Sequence, residues 1–120
     1  MRNLRLRALL LALAYLPLPA LSGSGCVHEC TTNIVSSVEV HVVDASGVAV
    51  PDATVTFTVD DGPSQTCPVS LVKGEFFCGE DQPGHFVITA SREGTSGTGE
   101  VDVDSDACHV LRATLTIEVP

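Results

Sequence analysis

The chain has 120 residues and carries 15 acidic side chains against six basic ones, a formal charge of −9. This balance excludes nucleic acid and anionic membrane surfaces as partners bound through charge, because both require clustered lysine and arginine. Aromatic residues are also few, with four phenylalanines and no tryptophan, which argues against a glycan-binding module that stacks sugars on exposed rings.

The first 25 residues have the pattern of an export signal. Three arginines within the first seven residues precede an apolar stretch at 8–18, and small residues follow it. The apolar stretch is shorter than the roughly 20 residues that span a bilayer, and Pro17 and Pro19 would break a helix there. We therefore predict that residues 1–25 are removed as a signal peptide.

The residues around Cys26 resemble the cleavage site of a bacterial lipoprotein. In that family, signal peptidase II cuts just before a cysteine that carries the lipid, and Ser24 and Gly25 are small, as the site requires. The resemblance implies palmitate-type acyl chains on Cys26, and Val27, where the inner-membrane retention signal has aspartate, implies the outer membrane. The alternative is an ordinary secretory signal, cut after a small residue such as Ala20 or Ser24, and a secreted protein.

Cleavage before Cys26 would leave 95 residues, enough for one domain. The three arginines of the signal leave with it, so three basic residues remain against 15 acidic ones, a formal charge of −12. We expect a tether at residues 26–35 and a single domain at residues 36–120.

From residue 36 onward, apolar and polar residues alternate as they do in half-buried strands. Turn signals lie at residues 44–47 and 60–63, and a loop rich in glycine, serine and threonine is expected at 93–99. The expected strands cover residues 38–42, 54–59, 65–71 (a weak edge strand), 75–78, 84–91, 100–104 and 111–119. Six to seven short strands separated by turns predict an all-β fold, a single antiparallel β-sandwich.

Two segments resemble the signatures of a carboxypeptidase regulatory-like domain. Residues 42–55, VVDASGVAVPDATV, match its opening strand, Asp-x-x-Gly turn, hydrophobic-Pro-x-Ala segment and strand rich in valine and threonine. Residues 82–90, QPGHFVITA, are similar to its Pro-Gly-aromatic-hydrophobic segment. The resemblance implies a transthyretin-like or prealbumin-like sandwich over residues 38–93, with other immunoglobulin-like domains as the alternative.

Four cysteines remain besides Cys26, and an even number in an exported chain indicates two disulfides with three possible pairings. Cys67 and Cys78 lie on the two arms of a possible hairpin. Cys30 precedes the first strand and Cys108 the last, and in many sandwiches these two strands run parallel and adjacent. We therefore predict the pairs Cys67–Cys78 and Cys30–Cys108.

The best candidate for a cation site is the alternating acidic run Asp102, Asp104 and Asp106. It resembles the start of a calcium loop, which requires glycine at the sixth position and glutamate at the twelfth. The chain has Ala107 and Ala113 at those positions, so we expect a solvated acidic rim there.

A cluster of His28, Cys30, Cys108 and His109 is a second metal candidate, but a disulfide would consume both thiols. We therefore expect no metal and no cofactor. The sequence also has no nucleophile elbow, phosphate-binding loop or dinucleotide motif, so we expect no enzyme activity.

These patterns together predict a lipid-anchored protein of the cell envelope with a structural or protein-interaction role. The expected contact surfaces are the loops at residues 80–83 and 93–99. The alternatives are a peptide- or glycan-binding module and an inhibitor-type partner that engages a basic envelope protein through its negative surface.

Overall fold

The computed structural model describes residues 30–120, so the predicted signal peptide and Cys26 lie outside the described residues. The described residues form seven strands: β1 (Ser36–Val43), β2 (Thr54–Val59), β3 (Gln65–Thr66), β4 (Glu75–Glu80), β5 (Gly84–Arg92), β6 (Thr95–Val103) and β7 (Ala113–Glu118). Within residues 30–120, no helix has the length and apolar character needed to cross a membrane.

The strands form two sheets, one with the order β4-β1-β7 and the other with the order β3-β2-β5-β6. All neighbouring strands are antiparallel except β1 and β7, which are parallel. The predicted all-β sandwich is therefore confirmed. The parallel neighbours β1 and β7 are the first and last strands, the adjacency on which the prediction of Cys30–Cys108 depended.

The core lies between the two sheets and is built by the alternation seen in the sequence. Val38, Val40 and Val42 of β1 are wholly buried, because successive side chains of a strand point to opposite faces. Burying each such aliphatic side chain contributes about 1.5–3 kcal/mol before entropy is counted. From the other sheet, Phe57 stacks on Phe86 with ring centroids 5.5 Å apart.

One pair of sheet edges is covered by the chain between β2 and β4. Residues Gln65 and Thr66 pair with β2 in one sheet, and the chain then crosses to β4 in the other. There Phe77 donates a backbone hydrogen bond to Pro68, whose own nitrogen has no hydrogen to donate. The predicted edge strand at 65–71 is therefore divided between the two sheets.

The opposite pair of edges is closed by the approach of β6 to β7, which corrects two predictions. Residues 95–99, expected to be a loop, form the first half of β6. A Cβ on Gly97 would overlap the carbonyl oxygen of Glu118, so glycine lets the two strands come close. Leu111, expected to begin the last strand, lies outside it and is 55% exposed, because β7 begins only at Ala113.

Replacing Gly97 by valine is expected to lower the free energy of unfolding by about 1–3 kcal/mol, as overpacking of a closed interior does. The added side chain would push against Ile117 and the backbone of Glu118. Denaturant unfolding followed by far-UV circular dichroism measures the loss. Thr98→Val is the control, because Thr98 is next to Gly97 in the chain and its side chain is exposed. Equal losses of stability in the two variants would contradict the close contact between β6 and β7 at Gly97.

Candidate functional site

Two disulfides fasten the sandwich, Cys30–Cys108 and Cys67–Cys78, and these are the pairs predicted from the sequence. Cys67 and Cys78 are buried in the core and tie the crossing segment to β4. Cys30 lies before β1, and its bond to Cys108 fixes the chain against the loop between β6 and β7. Disulfides persist in oxidising compartments, so the two bonds indicate a location outside the cytoplasm.

The disulfide Cys30–Cys108 marks one end of the sandwich, which we call the Cys30 end. Ser36 at the start of β1 lies opposite Glu80 at the end of β4, so the loop at residues 81–83 belongs to this end. The loop at 104–112 belongs to it as well, because β7 begins beside the start of β1. The loop at 80–83 that we expected to be a contact surface therefore lies next to Cys30.

His109 connects the two loops of the Cys30 end. Its Nδ1 lies 3.1 Å from Asp81 Oδ1 and its Nε2 lies 3.0 Å from Thr31 Oγ1. Partial desolvation raises the pKa of Asp81, but the hydrogen bonds from His109 and from the backbone of Val35 outweigh it and hold that pKa below its ordinary value. His109 therefore positions the loop at residues 81–83. Both thiols of the predicted Cys/His metal cluster belong to the disulfide Cys30–Cys108. His28, the other member of that cluster, lies outside the described residues.

In the predicted cation run Asp102, Asp104 and Asp106, the first and last carboxylates form hydrogen bonds with neighbouring protein groups. Asp102 Oδ1 lies 2.6 Å from His85 Nδ1, and Asp106 Oδ1 accepts hydrogen bonds from the backbone of Cys108 and His109. All three residues are exposed, as an acidic rim would be. The hydrogen bond to Asp102, with a second one to Glu100, raises the pKa of His85 above its ordinary value.

The opposite end of the sandwich, which we call the far end, exposes apolar side chains. It consists of the loops at residues 44–53 and 67–74, the turn at 93–94 and the C-terminal residues. Leu71 is fully exposed, and Val48, Val69 and Val72 are each more than half exposed. We call these four residues the apolar tip. They share one end because the two loops pack together: a Cβ on Gly74 would lie 2.8 Å from Ala49 Cβ.

A group of potential metal ligands lies on the outer face of the three-stranded sheet. Glu39 and His41 are two residues apart on β1 and so point to the same face, and Glu75 of β4 is the residue directly opposite His41. One ligand atom from each lies within 4.8 Å of those of the other two. All three side chains are half-buried.

The surroundings of this group hold the two carboxylates in place. His41 Nε2 lies 2.9 Å from Glu39 Oε1, and the other oxygen of Glu39 is 3.6 Å from Arg112 Nη1. The hydroxyl of Ser70 donates to Glu75 Oε1 at 3.0 Å. Arg112 in turn lies over the ring of Phe77, 5.4 Å from its centroid.

This group was not predicted from the sequence, although two of its three residues are close together in the chain. The spacing Glu39-x-His41 on a strand places both residues on one face, and this could have been noticed. Glu75 is 34 positions later in the chain, and only the register of β1 against β4 shows that it lies beside His41.

A groove of about 580 Å³ runs along the edge that the crossing segment covers. Its lining includes Ile34, Phe57, Pro68 and Phe77, with Arg112 at its polar side. Ser36 also lines it, and its Oγ is buried without a hydrogen-bond partner among residues 30–120. A buried hydroxyl usually has a partner, so Ser36 is an exception among the described residues.

Comparison with protein-family models gave no match to this chain, and a search of curated proteins gave no significant match either. The resemblance to a carboxypeptidase regulatory-like domain therefore stays a prediction.

Proposed function

We propose that this chain is a non-catalytic lipoprotein of the cell envelope, anchored by a lipid on Cys26, whose β-sandwich mediates contact with another protein. Two disulfides in a small β-domain are compatible with a structural module outside the cytoplasm. The lipid anchor, the outer-membrane location and the absence of catalysis come from the sequence patterns. A secreted form, made by cleavage elsewhere, is the alternative to anchoring.

The observation that carries the proposal is the separation of the Cys30 end from the apolar tip. Cys30 is four residues after Cys26, a span of at most about 14 Å of extended chain. A lipid on Cys26 would therefore keep the Cys30 end close to the membrane. β1 has eight residues, about 25 Å at the usual rise, and it would hold the apolar tip away from the bilayer.

The apolar tip has the character of a contact surface for a protein. An exposed leucine alone needs no explanation, whereas several grouped apolar side chains mark interaction sites. Four of the six large apolar side chains exposed among residues 30–120 belong to the tip. All four side chains of the tip are apolar, so we expect the contact to bury mainly apolar surface.

The intact mass of the protein extracted from membranes, unreduced and treated with a thiol-alkylating reagent, tests the anchor. We expect a chain that begins at Cys26, carries the added mass of acyl chains and takes up no alkylating reagent. A chain that lacks lipid and is recovered from the medium would overturn the anchor and leave a secreted module.

Site-specific photo-crosslinking tests the contact surface. A photoreactive residue at position 71 is expected to give a discrete protein adduct in intact cells, and one at position 111 is expected to give none. Leu111 is the control, because it is also a leucine with an exposed side chain, 55% exposed where Leu71 is fully exposed, and it lies at the Cys30 end. Adducts of the same size from both positions, or adducts from position 111 alone, would contradict the assignment of the tip.

Peptide binding is a second candidate, favoured by the groove beside Ser36. Its volume is within the range of small-ligand sites, and its lining combines apolar side chains with Arg112. If this is the function, a photoreactive residue at position 65, whose native side chain lines the groove, would capture the ligand and position 71 would not.

A further inference from the structure

We infer that Glu39, His41 and Glu75 form a binding site for one divalent transition-metal ion of the zinc type. This is a site beyond the proposed contact function, and it does not depend on the lipid anchor or on the apolar tip. It uses one imidazole nitrogen and one oxygen from each of two carboxylates, from two adjacent strands of the same sheet.

The donor atoms of the three side chains are already close to the geometry that zinc requires. Zinc is bound by imidazole nitrogen and carboxylate oxygen at about 2.0–2.2 Å, so the ligand atoms of a tetrahedral site lie about 3.3 Å apart. Glu39 Oε1 is already 2.9 Å from His41 Nε2. All three ligand atoms lie within 4.8 Å of one another, so small rotations of the glutamate side chains complete the site without movement of the backbone.

The scaffold and the neighbouring residues orient the ligands. Glu39 and His41 belong to β1, the central strand of its sheet, and sites on rigid elements keep their geometry. Ser70 holds one oxygen of Glu75, and Arg112 lies beside the second oxygen of Glu39. Hydrogen-bonded carboxylates of this kind are typical of metal ligands, because outer partners fix the oxygen that faces the ion.

The chemical types of the donor atoms indicate which ion the site binds. Calcium and magnesium take oxygen ligands almost exclusively, whereas imidazole suits zinc, copper and nickel. A donor set of one nitrogen and two oxygens therefore selects a transition metal of this group. Three protein ligands also leave one coordination position open, and on this half-exposed face the position is available to water or to a side chain of another molecule.

The matched comparison is the second histidine-carboxylate group, formed by His85, Glu100 and Asp102 on the other sheet. There the two carboxylates face different ring nitrogens: Asp102 is 2.6 Å from Nδ1 and Glu100 is 3.3 Å from Nε2. One ion cannot use both carboxylates together with a single nitrogen of that ring. His85 therefore supplies a control with the same chemistry and without the chelating geometry.

Isothermal titration of the purified, oxidised mature protein with Zn²⁺, after removal of metal and alkylation of free thiols, tests the site. We expect one zinc ion per chain, and an affinity at least tenfold lower in His41→Gln and in Glu75→Gln. Loss of an outer partner of a metal ligand costs 10- to 100-fold in affinity, so Ser70→Ala is expected to weaken binding by about tenfold. His85→Gln is expected to bind as the unaltered protein does.

Failure to bind zinc at a 1:1 ratio would overturn the inference. So would zinc binding that His41→Gln leaves unchanged, because the ion would then be held elsewhere, for instance by His28. Equal losses in His41→Gln and His85→Gln would also overturn it, because the binding would then be unspecific. Far-UV circular dichroism of each variant verifies that the sandwich has folded.

Discussion

Replacing Cys30 and Cys108 together by alanine is expected to lower the free energy of unfolding by about 4.5 kcal/mol. The estimate follows from the chain entropy that a crosslink removes from the unfolded state, which grows with the length of the closed loop. Cys30 and Cys108 are 78 residues apart, so the bond closes a loop that contains nearly the whole sandwich. Small domains have total stabilities of only about 5–15 kcal/mol, so the variant is expected to be close to unfolding.

Denaturant unfolding followed by far-UV circular dichroism measures this loss. The control is the pair Cys67 and Cys78, which are 11 residues apart and for which the same estimate gives about 3 kcal/mol. Both members of each pair are replaced, so that the broken bond leaves no unpaired partner thiol. A loss below about 1 kcal/mol for the Cys30–Cys108 variant would contradict the prediction that this bond is a main source of the stability of the sandwich.

Replacing Phe76 by alanine is expected to cost about 3–5 kcal/mol, as removal of a buried phenylalanine does. Its ring is 1% exposed and lies among core residues of both sheets. Phe77, the next residue, points to the outer face of β4, where Arg112 covers its ring. Phe77→Ala is therefore expected to cost about 1 kcal/mol or less, within the range of cation–π contacts at exposed sites.

The two phenylalanine variants test the register of β4 directly, because they differ only in which face they alter. Midpoints of denaturant unfolding give the two losses under the same conditions. If Phe77→Ala were the more damaging change, β4 would be shifted by one residue, since a shift of one position exchanges the two faces of a strand.

The strands of this fold could be predicted because their signal is local. In β1 and β5 apolar residues recur at every second position, and Val38, Val40, Val42, Phe86, Ile88 and Ala90 are all fully buried. The turn at residues 44–47 could be predicted for the same reason. Asp44 Oδ1 accepts hydrogen bonds from the backbone of Ser46 and Val48, and Gly47 has a φ of 81°. Both features depend only on residues that are neighbours in the chain.

Local sequence patterns did not predict the structure where two neighbouring residues were equally apolar or where the residues were small. The doublet Phe76-Phe77 does not show which ring faces inward, because both residues are equally apolar. Residues 95–99 have the composition of a loop, yet they form a strand because Gly97 and Gly99 allow β6 to pass close to β7. Glycine is required at these two positions because a side chain would collide with β7. That requirement depends on the position of β7, which the local sequence does not show.

The sequence alone determined the all-β character of the described chain, the positions of most strands and, through an assumption about strand order, the pairing of the cysteines. The tertiary structure alone decided which groups lie together: Glu75 beside His41, and Val48 at the same end as Leu71. The physical reason is the range of the interactions. Side-chain alternation is a property of a single strand, whereas a binding surface depends on register and sheet order between segments far apart in the chain.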